Sequence, residues 1–160
     1  EPGVIPLAAG GSRNGIDCAL WDLRAKQAGG FEHLTGWGLA PVTTLFTIGL
    51  DRPDKMAEQA LAVPNLRQLK LKLNDRDTLS CLEAVREARP DARLVIDANG
   101  SWSVGLLEQL ADALARLDVA LLEQPLPADA DHVLEGLRYP VPVCADESCQ
   151  DFADLDVGYT

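Results

Sequence analysis

The sequence predicts an α/β fold built on a parallel β-sheet. After Pro41, short runs of β-branched and other apolar residues alternate with longer segments of helical periodicity, and Asp, Asn, Gly or Pro separates them. This alternation is typical of successive βα units. The chain has 160 residues, of which 47% are hydrophobic and 24% are charged, a composition that excludes disordered and low-complexity classes.

A helix is predicted over residues 12–30, before the first strand. Ser12 can cap its N-terminus, and Gly29 with Gly30 can end it. Apolar residues recur at helical spacing at Ile16, Ala19, Leu20 and Leu23. We therefore expect an amphipathic helix whose apolar stripe is buried.

Five strands and the helices between them are predicted after Pro41. We expect the strands at residues 42–48, 68–73, 93–97, 120–123 and 141–145. We expect the helices at residues 56–62, 79–88, 104–117 and 131–137. These elements form five βα steps, of which the fifth is unfinished. Their order along the chain suits either an open doubly wound sheet or a closed barrel.

Charged residues end four of the predicted strands at nearly constant spacing. They are Lys72, Asp97, Glu123 and Asp146, separated by 25, 26 and 23 residues. Functional groups of parallel α/β folds gather where the strands end at their carboxyl side. The spacing therefore predicts that the four charges share one rim of the sheet.

Three of these residues are carboxylates that would repel each other unless a cation lay between them. Oxygen ligands without His or Cys favour Mg²⁺, or Mn²⁺, over zinc. Each residue alone is more typical of a helix cap or a turn than of a metal ligand. Their matched spacing nevertheless favours a shared site, so we predict a divalent metal bound by Asp97, Glu123 and Asp146.

Two lysines alternate with leucines in the segment Leu69-Lys70-Leu71-Lys72-Leu73. Because side chains of a strand alternate between its two faces, Lys70 and Lys72 are expected on one face and the leucines on the other. Two ammonium groups close to each other and to a metal ion should have lowered pKa values. A lysine with a lowered pKa can act as a general base.

The balance of charge argues against large anionic partners. The chain has 14 Lys and Arg against 25 Asp and Glu, a formal net charge of −11, and the basic residues are scattered. We therefore expect neither nucleic acid nor a membrane surface as partner. No segment is typical of a secretory signal or a transmembrane span, and we predict a cytoplasmic protein that binds a small molecule, with a homo-oligomer possible.

The strand motifs resemble those of the enolase superfamily, and the muconate-lactonizing subgroup has the closest pattern. The four motifs that carry the resemblance lie at residues 69–72, 95–100, 121–126 and 144–148. Within the subgroup, three segments look most like dipeptide epimerases of the L-Ala-D/L-Glu type. These segments lie at residues 19–23, 123–127 and 141–149.

The resemblance implies a partial (β/α) TIM-type barrel of about five βα units, preceded by a remnant helix of a capping domain. Residues 1–40 would end the capping domain, and residues 41–160 would form the first part of the barrel, which is interrupted before strand 6. The chain is accordingly expected to be an internal segment of a longer enzyme.

The resemblance also assigns roles to individual residues. It implies Mg²⁺ bound by Asp97, Glu123 and Asp146. Lys72 matches the family's acid/base on strand 2, and Lys70 matches the partner that keeps the pKa of the pair low. The resemblance further implies that Thr44 contacts the substrate and that Asn99 and Glu147 orient the metal ligands and the lysines.

The implied reaction is Mg²⁺-dependent epimerisation of a dipeptide, through removal of the proton α to a carboxylate and an enediolate intermediate. Epimerisation needs a second acid/base on the opposite face of the α-carbon, and in the family this is a lysine on strand 6. No lysine follows Lys72 in this sequence. The alternatives are an o-succinylbenzoate synthase or N-succinylamino acid racemase of the same superfamily, or a non-catalytic, metal-binding partial barrel.

Overall fold

The computed structural model describes residues 5–156, and the chain divides into two compact units, residues 1–42 and 43–160. The first unit contains helix α1 (Gly11–Gln27) and the short helix α2 (Phe31–Thr35). Helix α1 ends before the predicted residue 30, because Gly29 and Gly30 have φ angles of 86° and 140°, which a helix cannot contain.

The predicted burial of the apolar stripe of α1 is wrong. Ile16 and Leu23 are exposed, and Ala25 is the buried residue of this helix. Besides α1, the described part of this unit has only the five-residue helix α2, which is too short to cover the stripe.

The second unit alternates strands with helices. Its five strands are β1 (Phe46–Ile48), β2 (Gln68–Lys72), β3 (Arg93–Asp97), β4 (Val119–Glu123) and β5 (Val143–Cys144). The first three connections contain helices α3 (Pro53–Leu61), α4 (Thr78–Ala88) and α5 (Val104–Arg116). Two 3-10 helices follow at Ala128–Leu134 and Phe152–Asp156.

The five strands are all parallel and lie in the order in which they occur in the chain, β1-β2-β3-β4-β5. A doubly wound sheet reverses its strand order at a switch point, and no reversal occurs among these strands. Sequential parallel strands joined by helices have the order of a TIM-type barrel. The predicted fold class, a partial barrel of this type, is confirmed.

The core lies between the sheet and its helices. Leu69 and Leu71 of β2 are fully buried, whereas the alternate residues of this strand are partly exposed. Met56 of α3, Leu82 of α4 and Leu107 of α5 are also fully buried in the same cluster. Burial of the leucine face of β2 leaves Lys70 and Lys72 on the other face, as the alternation predicts.

Three predicted elements differ from the structure. Strand β1 begins at residue 46 rather than 42, and Val42 is 89% exposed. Strand β5 covers only residues 143–144, because Pro140 and Pro142 have no N–H to donate to a neighbouring strand. The helix predicted over residues 131–137 is instead a 3-10 helix over 128–134, which ends before Gly136, whose φ of 72° a helix cannot contain.

Arg89, the residue after α4, connects the loops at the amino-terminal end of the sheet through hydrogen bonds and an ion pair. Its side chain is 4% exposed and forms an ion pair with Asp91, with Nε 2.9 Å from Oδ1. Its terminal nitrogens donate hydrogen bonds to three backbone carbonyls at 2.7–3.0 Å, those of Ala60, Val63 and Leu66. This end of a barrel serves stability rather than chemistry.

We expect Arg89→Met to lower the free energy of unfolding by about 3 kcal/mol, because it removes the donor to three backbone carbonyls, of which that of Ala60 is buried, and leaves Asp91 without its ion pair. Urea denaturation would measure the loss, and Arg93→Met at the exposed start of β3 is the matched control, expected to change stability by less than about 0.5 kcal/mol. Equal stability of the two variants would contradict this account of Arg89.

No helix within residues 5–156 combines the length and the apolar character that crossing a membrane requires.

Candidate metal and acid-base site

A row of side chains crosses the sheet near the carboxyl ends of its strands. Lys72 of β2 pairs in register with Asp97 of β3, Asp97 pairs with Glu123 of β4, and Glu123 pairs with Cys144 of β5. Three of the four predicted strand-end charges therefore lie side by side. The fourth, Asp146, lies outside the row, because Cys144 is the residue of β5 that pairs with Glu123 and Asp146 follows it by two residues.

The three predicted metal ligands nevertheless form one cluster. Each of Asp97, Glu123 and Asp146 offers a carboxylate oxygen, and these oxygens all lie within 4.8 Å of one another. Asp97 is buried, Glu123 is partly buried and Asp146 is exposed. The cluster is thus open to solvent on the side of Asp146 and closed at Asp97.

Both lysines of β2 contact this cluster. The Nζ atom of Lys70 lies 2.7 Å from Oδ2 of Asp97 and 2.8 Å from Oε1 of Glu123. The Nζ atom of Lys72 lies 2.5 Å from Oδ2 of Asp97 and donates a hydrogen bond to Oδ1 of Asn99 at 2.8 Å. Two positive and three negative groups therefore share one site.

These contacts shift the pKa values of Lys70 and Asp97 in opposite directions. Burial disfavours the ammonium form of Lys70, but hydrogen bonds to Asp97 and Glu123 outweigh it and raise the pKa. Burial likewise disfavours the carboxylate of Asp97, but hydrogen bonds from both lysines outweigh it and lower the pKa. In the protein alone, the carboxylates near Lys70 thus have a larger effect on its pKa than the nearby ammonium group. The predicted lowering concerns lysines beside a bound cation and stays a prediction.

Glu123 behaves differently from Asp97. Burial raises its pKa above the ordinary 4.5, and the nearby charges of Asp97 and Asp146 add to this effect, although Lys70 opposes it. A carboxyl group whose pKa is raised by folding destabilises the folded state once the pH exceeds 4.5, because unfolding then lets it ionise at lower cost. At neutral pH, the charge of Glu123 therefore costs stability.

We expect Glu123→Gln to raise Tm by a few degrees at neutral pH in a chelating buffer, since the amide removes the charge and keeps an oxygen that can accept from Lys70. With saturating Mg²⁺, the order should reverse, because the wild type gains more from the ion. Thermal melts with and without Mg²⁺ would measure both effects, with Glu108→Gln on the exposed side of α5 as the control. A lower Tm of Glu123→Gln in chelator would contradict the prediction.

Asn99 and Glu147 lie beside the cluster, where the resemblance places them. The backbone N–H of Asn99 donates to Oδ1 of Asp97 at 3.0 Å, and its side-chain Nδ2 donates to Oε1 of Glu147 at 3.0 Å. Since Asn99 also accepts from Lys72, it links the lysine to the segment that follows β5.

The structure does not bring Thr44 to this cluster. Thr44 is exposed and precedes β1, which begins at Phe46. In the register of β1 and β2, Thr47 is the residue beside Lys70. Thr44 therefore lies toward the amino-terminal end of the sheet, away from the carboxyl ends that carry the charges.

The sequence analysis missed Gln124, the fully buried residue after Glu123. Its φ of 37° is positive, which is uncommon for a residue other than glycine. The Gln124 side chain donates to Oγ of Ser148 at 2.7 Å and accepts from the backbone N–H of Asp146 at 2.9 Å. No local sequence pattern predicts that a Gln after a strand makes such contacts.

The residues present fit a hard divalent ion. The donor set contains only carboxylate oxygens, which Mg²⁺ prefers. In the protein alone, the ammonium groups of Lys70 and Lys72 lie against the carboxylates and neutralise part of their negative charge. The carboxylates thus already attract positive charge. Asp97, Glu123 and Asp146 are the residues that would hold the ion.

The fold and the cluster together define a class of protein: a domain of TIM-barrel type with charged side chains gathered at the carboxyl ends of its strands. Residues 55–157 match the enolase C-terminal domain-like family. The chain belongs to this family, and the predicted membership of the enolase superfamily is confirmed.

Two curated relatives match almost the whole chain. An N-acetyl-D-glutamate racemase of Pseudoalteromonas sp is 39% identical over 95% of this chain and 49% of its own length. The L-Ala-D/L-Glu epimerase of Escherichia coli K12 is 43% identical over 93% of this chain and 48% of its own length. The chain therefore spans about half the length of these relatives.

Two solved structures are also similar. An enolase family member from Agrobacterium tumefaciens, with homology to dipeptide epimerases and with bound sodium and L-Ala-L-Glu, has a TM-score of 0.86 and 39% identity over 96% of this chain and 50% of that one. A dipeptide epimerase from Cytophaga hutchinsonii, complexed with Mg and D-Ala-L-Val, has a TM-score of 0.77 and 28% identity over 85% of this chain and 39% of that one.

Proposed function

We propose that this chain supplies the metal ligands and one acid/base of a Mg²⁺-dependent epimerase that acts on dipeptides of the L-Ala-D/L-Glu type. The observation that carries the proposal is the contact of Lys70 and Lys72 with Asp97 and Glu123, which cluster with Asp146 at the carboxyl ends of parallel strands. Dipeptide-binding relatives support the substrate class. In this proposal, residues 1–40 end a capping domain and residues 41–160 begin the barrel.

Lys72 is the residue to which we assign the proton transfer. It lies at the end of β2 and is more exposed than Lys70, with 36% against 20% of the side chain accessible. Its Nζ takes the proton from the α-carbon, which leaves an enediolate on the substrate. Asp97, Glu123 and Asp146 would hold a Mg²⁺ ion, which would supply positive charge that stabilises the negative charge developing on the substrate carboxylate.

Lys70 has a different part in the same step. Its two carboxylate contacts raise its pKa, so it stays protonated at neutral pH. Its positive charge lies beside Lys72 and can stabilise the negative charge that develops on the substrate carboxylate. Asn99 accepts a hydrogen bond from Lys72 and so fixes the direction of its ammonium group. No lysine follows Lys72, and the proton return on the opposite face is not assigned to this chain.

Exchange of the substrate α-proton with D₂O tests the proposal. We expect Mg²⁺-dependent loss of the α-proton NMR signal of L-Ala-L-Glu, abolished by EDTA. The chain is assayed alone and together with the part of the Escherichia coli epimerase that it does not match, because it spans about half of that protein. Mg²⁺ binding without exchange in either form would overturn the reaction and favour the non-catalytic, metal-binding alternative.

The N-acetyl-D-glutamate racemase relative favours a second candidate function, racemisation of an N-acylated amino acid. L-Ala-L-Glu and N-acetylglutamate share an acylated nitrogen, an α-proton and an α-carboxylate, so one site could serve either. The same exchange assay with N-acetyl-D-glutamate decides between the two functions, because the compound whose α-proton exchanges faster identifies the substrate class. Dehydration to o-succinylbenzoate without exchange of either compound would support the synthase of the same superfamily.

A further inference from the structure

Asp146 differs from the other two proposed metal ligands in what holds it. Asp97 and Glu123 are strand residues that face each other in the register of β3 and β4. Asp146 follows the last residue of β5 by two positions and is exposed. The ladder of the sheet therefore cannot place the Asp146 carboxylate, and another contact has to do so.

The side chain of Gln124 makes that contact. Its Oε1 atom accepts two backbone hydrogen bonds from the segment after β5, one from the N–H of Asp146 at 2.9 Å and one from the N–H of Ser148 at 3.0 Å. The backbone N–H of Gln124 donates to the carbonyl of Cys144 at 2.8 Å. Gln124 thus binds the chain on both sides of Asp146 to the end of β4.

The other half of the Gln124 amide is also satisfied. Its Nε2 atom donates to the carbonyl of Leu126 at 2.9 Å and to Oγ of Ser148 at 2.7 Å, and it lies 3.3 Å from Oδ1 of Asp131. These acceptors require the amide nitrogen on this side and therefore direct Oε1 toward Asp146. Because the side chain is 0% exposed, water does not compete for these bonds.

We propose that Gln124 is the positioning residue for the metal ligand Asp146. The inference rests on the proposed metal site. The side-chain oxygen of Gln124 contacts backbone N–H groups and not a carboxylate of the cluster; it fixes the backbone from which the Asp146 carboxylate projects. Groups that orient a metal ligand typically contribute 10-fold to 100-fold to metal affinity.

Calorimetric titration with Mg²⁺ tests this role without any measurement of activity. We expect Gln124→Leu to bind Mg²⁺ at least about 10-fold more weakly than the wild type. The matched control is Gln59→Leu, because Oε1 of Gln59 also accepts from the backbone after a strand, at Gly49 and 3.2 Å, but at a strand without a metal ligand. We expect this control to keep the wild-type affinity.

Ser148→Ala removes the hydroxyl that accepts from Nε2 but keeps both backbone N–H groups that donate to Oε1 of Gln124. We expect this variant to bind Mg²⁺ within about threefold of the wild type, which distinguishes the role of Oε1 from general packing around the amide. Gln124→Met, which keeps the length of the side chain and removes its amide, carries the test if Gln124→Leu does not fold, as shown by its melting curve.

Two results would overturn the inference: wild-type Mg²⁺ affinity of a folded Gln124→Leu or Gln124→Met, or a tenfold loss of affinity in Ser148→Ala. A wild-type chain that binds no Mg²⁺ would overturn both the inference and the metal site on which it rests. Mg²⁺ binding that depends on Gln124, without α-proton exchange, would support the inference and overturn only the proposed reaction.

Discussion

Lys72→Ala is expected to lower α-proton exchange of L-Ala-L-Glu by about 10²-fold to 10⁴-fold, the contribution of a positioned general base. The α-proton signal in D₂O measures the rate. Mg²⁺ affinity should not fall, because the variant removes a positive charge that pairs with Asp97. An exchange rate within threefold of the wild type would contradict the role of Lys72.

Two further variants separate the chemistry of Lys72 from its charge. Lys72→Arg keeps a cation that can pair with Asp97, but a guanidinium does not lose its proton at neutral pH. We expect Lys72→Arg to keep the thermal stability of the wild type but to have the low α-proton exchange rate of Lys72→Ala. Lys55→Ala, which removes a lysine from an exposed ion pair with Glu58 on α3, is the matched control and should exchange at the wild-type rate.

Asp97→Asn is expected to abolish the stabilisation by Mg²⁺. A ligand at 100 times its Kd raises the free energy of unfolding by about 2.7 kcal/mol, and this gain should disappear. Asp97 is the buried member of the cluster and contacts both lysines, so an amide there both weakens the ligand set and turns a donor toward the ammonium groups.

The same variant should be less stable than the wild type even in chelator. Breaking a fully buried ion pair costs about 3–5 kcal/mol, and exposed pairs contribute about 1 kcal/mol or less. Because the lysines are partly exposed, we expect a loss of about 2 kcal/mol, between these limits. Asp112→Asn on the exposed side of α5 is the control. An Asp97→Asn variant with the wild-type Mg²⁺ melting shift would exclude Asp97 as a ligand.

The sequence predicted the parts of the fold that depend on local patterns. Strand β3 has the predicted bounds, and the alternation in β2 correctly separates its leucines from Lys70 and Lys72. The near-constant spacing also predicted that Asp97 and Glu123 lie together, because side chains at equal positions in successive βα units share one edge of the sheet.

The failures concern interactions between residues that are distant in the sequence. Periodicity identified the apolar stripe of α1 but could not show whether anything packs on it. Gln124 reaches Asp146 across 22 residues, and no local rule predicts this contact.

The straight row formed by Lys72, Asp97 and Glu123 restricts how the length of this chain can change in evolution. Loss of the residue between Lys70 and Lys72 would turn one of the two lysines toward the helices, because a strand alternates its faces residue by residue. The composition would hardly change, yet one of the two charges of β2 would leave the site. Insertions and deletions that preserve the site should therefore be confined to the loops and helices between the strands.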